Sequence, residues 1–262
     1  MKIRRISEHL KDQNWFAVAL DFIIVVIGVG AALMAQQWLG ERQGRAELER
    51  ALSSLNSDLF RVYFVSKERL AVADCRKERY AELGALLLET EHSWPGSARE
   101  YPASPIQPAL PVVVRSPHRY WTSAIWETEL AKGTFNRMDN DSLVLLASVF
   151  SRGEEAESIQ AMIRDLESNL QALAHPLQLD IGDRLRYYDI LARADSASSL
   201  LEVVAAQHVD YIEAFGLRLI SNEDEAAVYR QFLADQNARA ISVYGDCVVP
   251  MAFPFLEEGN FD

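Results

Sequence analysis

The chain has 262 residues, with 26 Lys and Arg against 38 Asp and Glu, a formal net charge of −12 and 49% hydrophobic residues. That length holds a real core without help from a metal, and so acidic a surface repels nucleic acid and anionic lipid. Charge does not choose among neutral or cationic partners.

Residues 1–14 form a short basic head, with Lys2, Arg4, Arg5 and Lys11 set against Glu8 and Asp12. From Trp15 to Ala35 the only ionisable side chain is Asp21. At ~1.5 Å rise per residue, about 20 apolar residues cross a ~30 Å hydrocarbon layer, so the run is long enough to span a bilayer. Trp15 and Trp38 sit near its two ends, as interfacial aromatic belts prefer, and the expected span is 15–38. Four basic residues precede it and three, Arg42, Arg45 and Arg50, follow. This slim bias points to an N-in orientation. The rest of the chain, Asp21 included, carries 22 positive against 36 negative residues, a net charge of −14, and its bulk would be exported across the membrane.

Two alternatives stay open. Gly30 and Ala32 stand at the minus three and minus one positions of a signal-peptide cut, which would start the mature chain near residue 33. The polar head, the acid inside the run and the second tryptophan argue for an uncleaved anchor. A buried helix of a soluble protein is disfavoured because no polar face occurs between Phe22 and Ala35.

An acid inside a span costs several kcal/mol unless it protonates, reaches the interface or meets a cation. Asp21 lies ~9 Å along the helix from Trp15, so it is either an interfacial acid or a contact to another subunit. Gly28 with Ala32, and Ala31 with Ala35, form small-xxx-small pairs that permit close helix approach and self-association through the membrane helix.

Beyond the span a membrane-proximal helix is expected over 39–91, with Gly40 and Gly44 as weak points. Leu48, Leu52, Leu55, Leu59 and Val62 alternate spacings of four and three, the seam of one helix packing on another. Two heptads fit packing within the same domain better than a dimeric coiled coil. The only cysteines are Cys75 and Cys247. In an oxidising compartment they are expected to form a disulfide, which by chain entropy would contribute up to roughly 5 kcal/mol for a loop of about 170 residues. Two unrelated buried thiols are the alternative.

No proline precedes Pro95, and six of the nine fall between Pro95 and Pro117, so 92–118 reads as a loop. Its Val112–Val114 is the only strand-like run of note. The remainder, 119–262, reads as helices. RYWTSAIWETELAKG is the first, with Gly133 as a left-handed stop. A long helix opens at Asp139 or Asp141, is open to a kink at Gly153 and is ended by Pro176. Segments 181–194 and 197–217 follow, and a last helix starts at Ser221 or Asn222 with Glu223, Asp224 and Glu225 in its first turn. The fold expected is all-α, an antiparallel bundle of four to six helices entered by the membrane helix.

Chemistry is sparse. The five histidines are scattered, with no HExxH and no paired-cysteine spacing, so neither a metal nor a cofactor is expected. GVGAAL at Gly28 has Leu33 in place of a third glycine and lies in the membrane run, which rules it out as a dinucleotide fingerprint. No GxSxG elbow is present. His208 shares an apolar face with Leu201, Val204, Ile212 and Phe215 and reads as a hydrogen-bonded core histidine before a catalytic one. Tyr120, Trp121 and Trp126 would suit the wall of a ligand pocket beside the Pro-rich loop, though core packing explains them as well.

The stretch HLKDQNWFAVALDFIIVVIGVGAALMAQQWLGER resembles the amino terminus of a group of uncharacterised bacterial inner-membrane proteins. Asp21 at the entry, the run Ile24 to Val29, and Trp38 with Glu41 and Arg42 at the exit carry the likeness. Those proteins often have asparagine before the exit tryptophan, where this chain has Gln37. The resemblance implies a single-pass anchor with a helical periplasmic domain and no assigned reaction. The function expected is that of an interaction, accessory or sensing subunit with a protein partner. The alternative is a periplasmic enzyme with its active site near the Trp121 helix and the Pro-rich loop.

Overall fold

A computed structural model describes residues 15–89, 93–99, 111–215 and 223–257. The chain divides into two units, Met1–Arg50 and Ala51–Asp262. The fold is all-α, with seven helices and one two-residue strand pair among the described residues.

Helix α1, Trp15–Ala71, begins in the first unit. Every large apolar side chain from Leu20 to Leu39 is exposed there, Met34 to 74%. This is the one helix among the described residues that is long and apolar enough to cross a membrane. At the end of this apolar stretch the Arg42 guanidinium stands 4.0 Å over the Trp38 ring, a cation–π contact that keeps the charge at its edge. Asp21 and Ala32 are exposed, and a side chain at Gly28 would meet nothing within 4 Å.

In the second unit the three–four seam becomes the buried face of the bundle: Leu55, Leu59 and Val62 are at most 1% exposed. The helix does not run unbroken to residue 91 as expected. It stops at Ala71, turns at Val72 and resumes as α2, Ala73–Leu88. The Ala71 carbonyl accepts instead from the Val249 amide at 2.9 Å, so a distant segment takes over a helical acceptor. The sequence there holds neither glycine nor proline. Tertiary structure imposes the break.

After α2 the chain forms β1, Ser93–Trp94, antiparallel to β2, Leu177–Gln178. Trp94 is buried and its indole donates to the Leu173 carbonyl at 2.7 Å. The Val112–Val114 run forms no strand, only an isolated bridge from Val112 to Arg99. Helix α3, Ala124–Lys132, starts later than the 119–133 segment suggests, because Ser123 caps it by accepting from the Trp126 amide at 3.1 Å. It stops at Gly133, whose φ of 74° suits glycine. Asp139 accepts from the Ser142 amide at 2.8 Å and caps α4, Asn140–Asn169.

Gly153 does not break α4. A Cβ there would lie 2.7 Å from the Trp121 carbonyl oxygen, so its absence lets the 121–122 backbone cross the helix. Segments 181–194 and 197–217 are a single helix, α5, Ile181–Phe215; residues 216 and 217 lie outside the described part. Helices α6, Glu223–Tyr244, and α7, Pro254–Glu257, follow, and the starts expected at Ser221 or Asn222 also lie outside the described part.

Helices α4 and α5 pack along each other, and α2 packs on α5. One core cluster holds Leu83, Leu87, Trp94, Leu170 and Tyr187, and a second holds Val65, Trp121, Ile163, Leu201 and Ala205. Phe60 of α1 meets Tyr229 and Phe232 of α6 and Phe253, with ring centroids 4.8–6.2 Å apart.

Candidate functional site

The seam of α1 and α2 continues past Val62 through Ser66, Arg69, Ala73, Arg76, Tyr80, Leu83 and Leu87, all buried. Two of its positions are therefore arginines inside the bundle. Burying a guanidinium is costly unless its donors are matched. Arg76 is matched: Nε donates to Glu202 Oε1 at 2.8 Å and Nη1 to Asp195. Arg79 is matched too, donating to the Val113 carbonyl at 3.0 Å, to Glu82 at 2.8 Å and to the Ser97 carbonyl.

Arg69 is not. It is 3% exposed, and its Nε and Nη2 have no hydrogen-bond partner. Burial pulls its pKa below the ordinary value, and Arg76 adds to this, against the opposing charges of Glu202 and Glu167.

Arg69 faces a small cavity of about 20 Å³, lined also by Arg76, Arg79, Arg99 and Arg115 with Glu202 as its one acid. In a chain of net −12 this is a local reversal of sign. A larger cleft of about 400 Å³ adjoins it, sharing Val72, Val114, Arg115, Ser116, Pro117 and Tyr244. The cleft opens between the 112–119 segment, Glu68 of α1 with Val72 at the turn after it, and the face of α6 that carries Gln236, Arg239, Ala240 and Val243.

Two further unmatched polar atoms belong to the cleft. Glu68 pairs with Arg119 at 2.7 Å through Oε1, while its buried Oε2 has no partner. His118 Nδ1 is buried and likewise without a partner. Burial, with Arg164, Arg69 and Arg119 adding to it, pushes the His118 pKa down to about 4, so the ring is neutral at pH 7. Glu167 accepts from Tyr80 at 2.9 Å and from Ser116 at 2.5 Å. Burial raises its pKa, opposed by those two bonds and by Arg69 and Arg76.

The three residues of the expected aromatic pocket have different surroundings. Tyr120 is 80% exposed; Trp121 is buried, donating from its indole to Gln160 at 3.2 Å; Trp126 stacks on Phe135 and Phe150. None of them lines the two cavities above. The tryptophans serve the core. His208 is fully buried, with Nε2 3.0 Å from the Val149 carbonyl and its ring 5.6 Å from Trp121.

Cys75 and Cys247 are bonded, with Cα atoms 5.1 Å apart, and Cys75 lines the small cavity. Asp21, Gly28 and Ala32 belong to the other unit. Among the described residues no group of three or more His, Cys, Asp or Glu could hold a metal ion.

Sequence reasoning missed Arg69, Glu68 and the cleft role of His118. One signal was available: the alternating spacing, extended beyond Val62, puts arginine at two core positions. No family model, curated protein or solved structure matches the chain.

Proposed function

We propose that this is a single-pass bacterial inner-membrane protein, N-in, whose helical domain lies in the periplasm. It binds a small ligand in the cleft at Glu68 and His118 and the adjoining small cavity at Arg69, and acts as a sensing or accessory subunit. One observation carries the reading: the helix whose large apolar side chains from Leu20 to Leu39 are all exposed also supplies Glu68 to the cleft and Arg69 to the small cavity beside it. Exposed apolar surface on this scale belongs in lipid. The Cys75–Cys247 bond supports an oxidising compartment. In this reading a signal reaches the cytoplasm through a partner, with the Gly28 and Ala32 face of the span as the contact proposed for it.

The test is fractionation. The protein is expected to stay in the membrane pellet after alkaline carbonate extraction, and its domain to be digested by protease added to spheroplasts but not to intact cells. Recovery as a soluble chain beginning near residue 33 would overturn the anchored reading.

A further inference from the structure

The two unmatched atoms of Arg69 are Nε and Nη2. These lie on the same edge of the planar guanidinium and project two parallel N–H groups, the fork that a carboxylate meets with both oxygens. Three of the neighbouring arginines are committed to their own acceptors: Arg76 to Glu202 and Asp195, Arg79 to Glu82 and two carbonyls, and Arg99 to Glu82 at 3.8 Å. The nearby acids are committed as well, since Glu202 takes Arg76 and Glu167 takes Tyr80 and Ser116. The cavity of about 20 Å³ has room for a group of about the size of a water molecule or a carboxylate oxygen, and no more. The adjoining cleft of about 400 Å³ is within the size range of small-molecule sites. At its wall Glu68 Oε2 is a carboxylate oxygen that accepts nothing.

We propose that the Nε and Nη2 edge of Arg69 binds the carboxylate of a small organic acid, whose remaining atoms lie in the adjoining cleft and donate an N–H or O–H to Glu68. The ligand class is thus an amino or hydroxy acid. This rests on the ligand-binding reading above. The fork selects a planar two-oxygen anion, the small cavity discriminates against the bulkier tetrahedral phosphate, and Glu68 favours an acid carrying a donor beside the carboxylate.

The test uses the purified full chain in detergent, disulfide intact, in a buffer free of carboxylates and phosphate. Thermal shift and calorimetry are run with acetate, glycolate and glycine, and with acetamide and inorganic phosphate, at matched ionic strength. The three carboxylates are expected to raise the melting temperature with concentration, glycolate and glycine binding more tightly than acetate, while acetamide has no effect. Arg69→Lys keeps the charge but loses the fork, and should weaken acetate binding about tenfold, as expected for losing one charge-assisted hydrogen bond. Glu68→Gln should abolish the preference for glycolate and glycine over acetate. Arg69→Met removes an unmatched buried charge, so without ligand it should melt no lower than the wild type while binding no acetate.

The carboxylate site is overturned if none of the three acids shifts the wild type, as when water alone fills the fork. It is equally overturned if phosphate binds more tightly than acetate, or if Arg69→Met binds acetate unchanged. Binding by the purified chain does not depend on topology, so failure here leaves the fractionation result standing, and the converse holds.

Discussion

His208 shows how one buried side chain sets a pH limit. Its Nε2 must carry the proton to donate to the Val149 carbonyl, which leaves Nδ1 as an unprotonated atom with no partner in the core. Protonating Nδ1 would place a charge in an apolar site beside Trp121, and burial accordingly pushes the pKa from 6.5 down to about 4, with the Arg152 charge in the same direction and the Val149 bond opposing. The folded pKa is depressed, so the unfolded chain takes up the proton first as pH falls. The stabilisation is complete above pH 6.5 and is lost between there and about 4. The slope is at most about 1.4 kcal/mol per pH unit, and the total on the order of 3 kcal/mol. Urea denaturation of the detergent-solubilised chain should show midpoints that fall as pH drops from 7 to 4.5. His208→Gln, which keeps a donor for Val149, should flatten that fall. Some slope should persist, because His118 is depressed in the same sense, while the raised pKa of Glu167 works the other way. Identical pH profiles for wild type and His208→Gln would show that His208 does not set the limit.

At the scale of the element, Ser123 does two things at once. It caps α3 by accepting from the Trp126 amide, and its hydroxyl donates to the Asp58 carboxylate on α1, so the cap also docks the helix. Ser123→Ala loses both, and about 1–2 kcal/mol of destabilisation is expected, or several degrees in melting temperature. Ser123→Asp should do worse than alanine, although aspartate is a good cap elsewhere, because it sets a second carboxylate against Asp58. Circular dichroism melts of the two variants decide this.

Such local devices were legible in the sequence: Gly133 as a left-handed stop and Asp139 as a cap follow from residue type and position. The break at Val72 was not, because its cause is the Val249 amide reaching the Ala71 carbonyl from far along the chain. Nor was the continuity of α5 through Asp195, which is oriented by Arg76 rather than ending a helix. The cleft was hidden for the same reason. Arg69 looks like one charge among many until the bundle closes over it, and Glu68 and His118 meet only through the 112–119 segment. Sequence patterns report contacts a few residues apart, and the site is built from contacts tens to hundreds of residues apart.

At the scale of the molecule, the carboxyl-terminal segment closes the second unit. The disulfide joins residues separated by 172 positions, Val249 is tied to Ala71, and Asn237 of α6 exchanges two hydrogen bonds with Met251, at 2.8 and 3.0 Å. These ties fix the end of α6 whose face forms one wall of the cleft. Removing the covalent tie therefore has two expected consequences. Cys75→Ser with Cys247→Ser should lower stability by roughly 2–5 kcal/mol, the range for a native disulfide closing a long loop. It should also weaken acetate binding, since the ligand then bears the entropy of ordering the α6 wall. Thiol reductant should reproduce both effects in the wild type and leave the double variant unchanged. If stability falls while acetate affinity stays the same, the bond serves only the fold, and the cleft wall is held by Val249 and Asn237 alone.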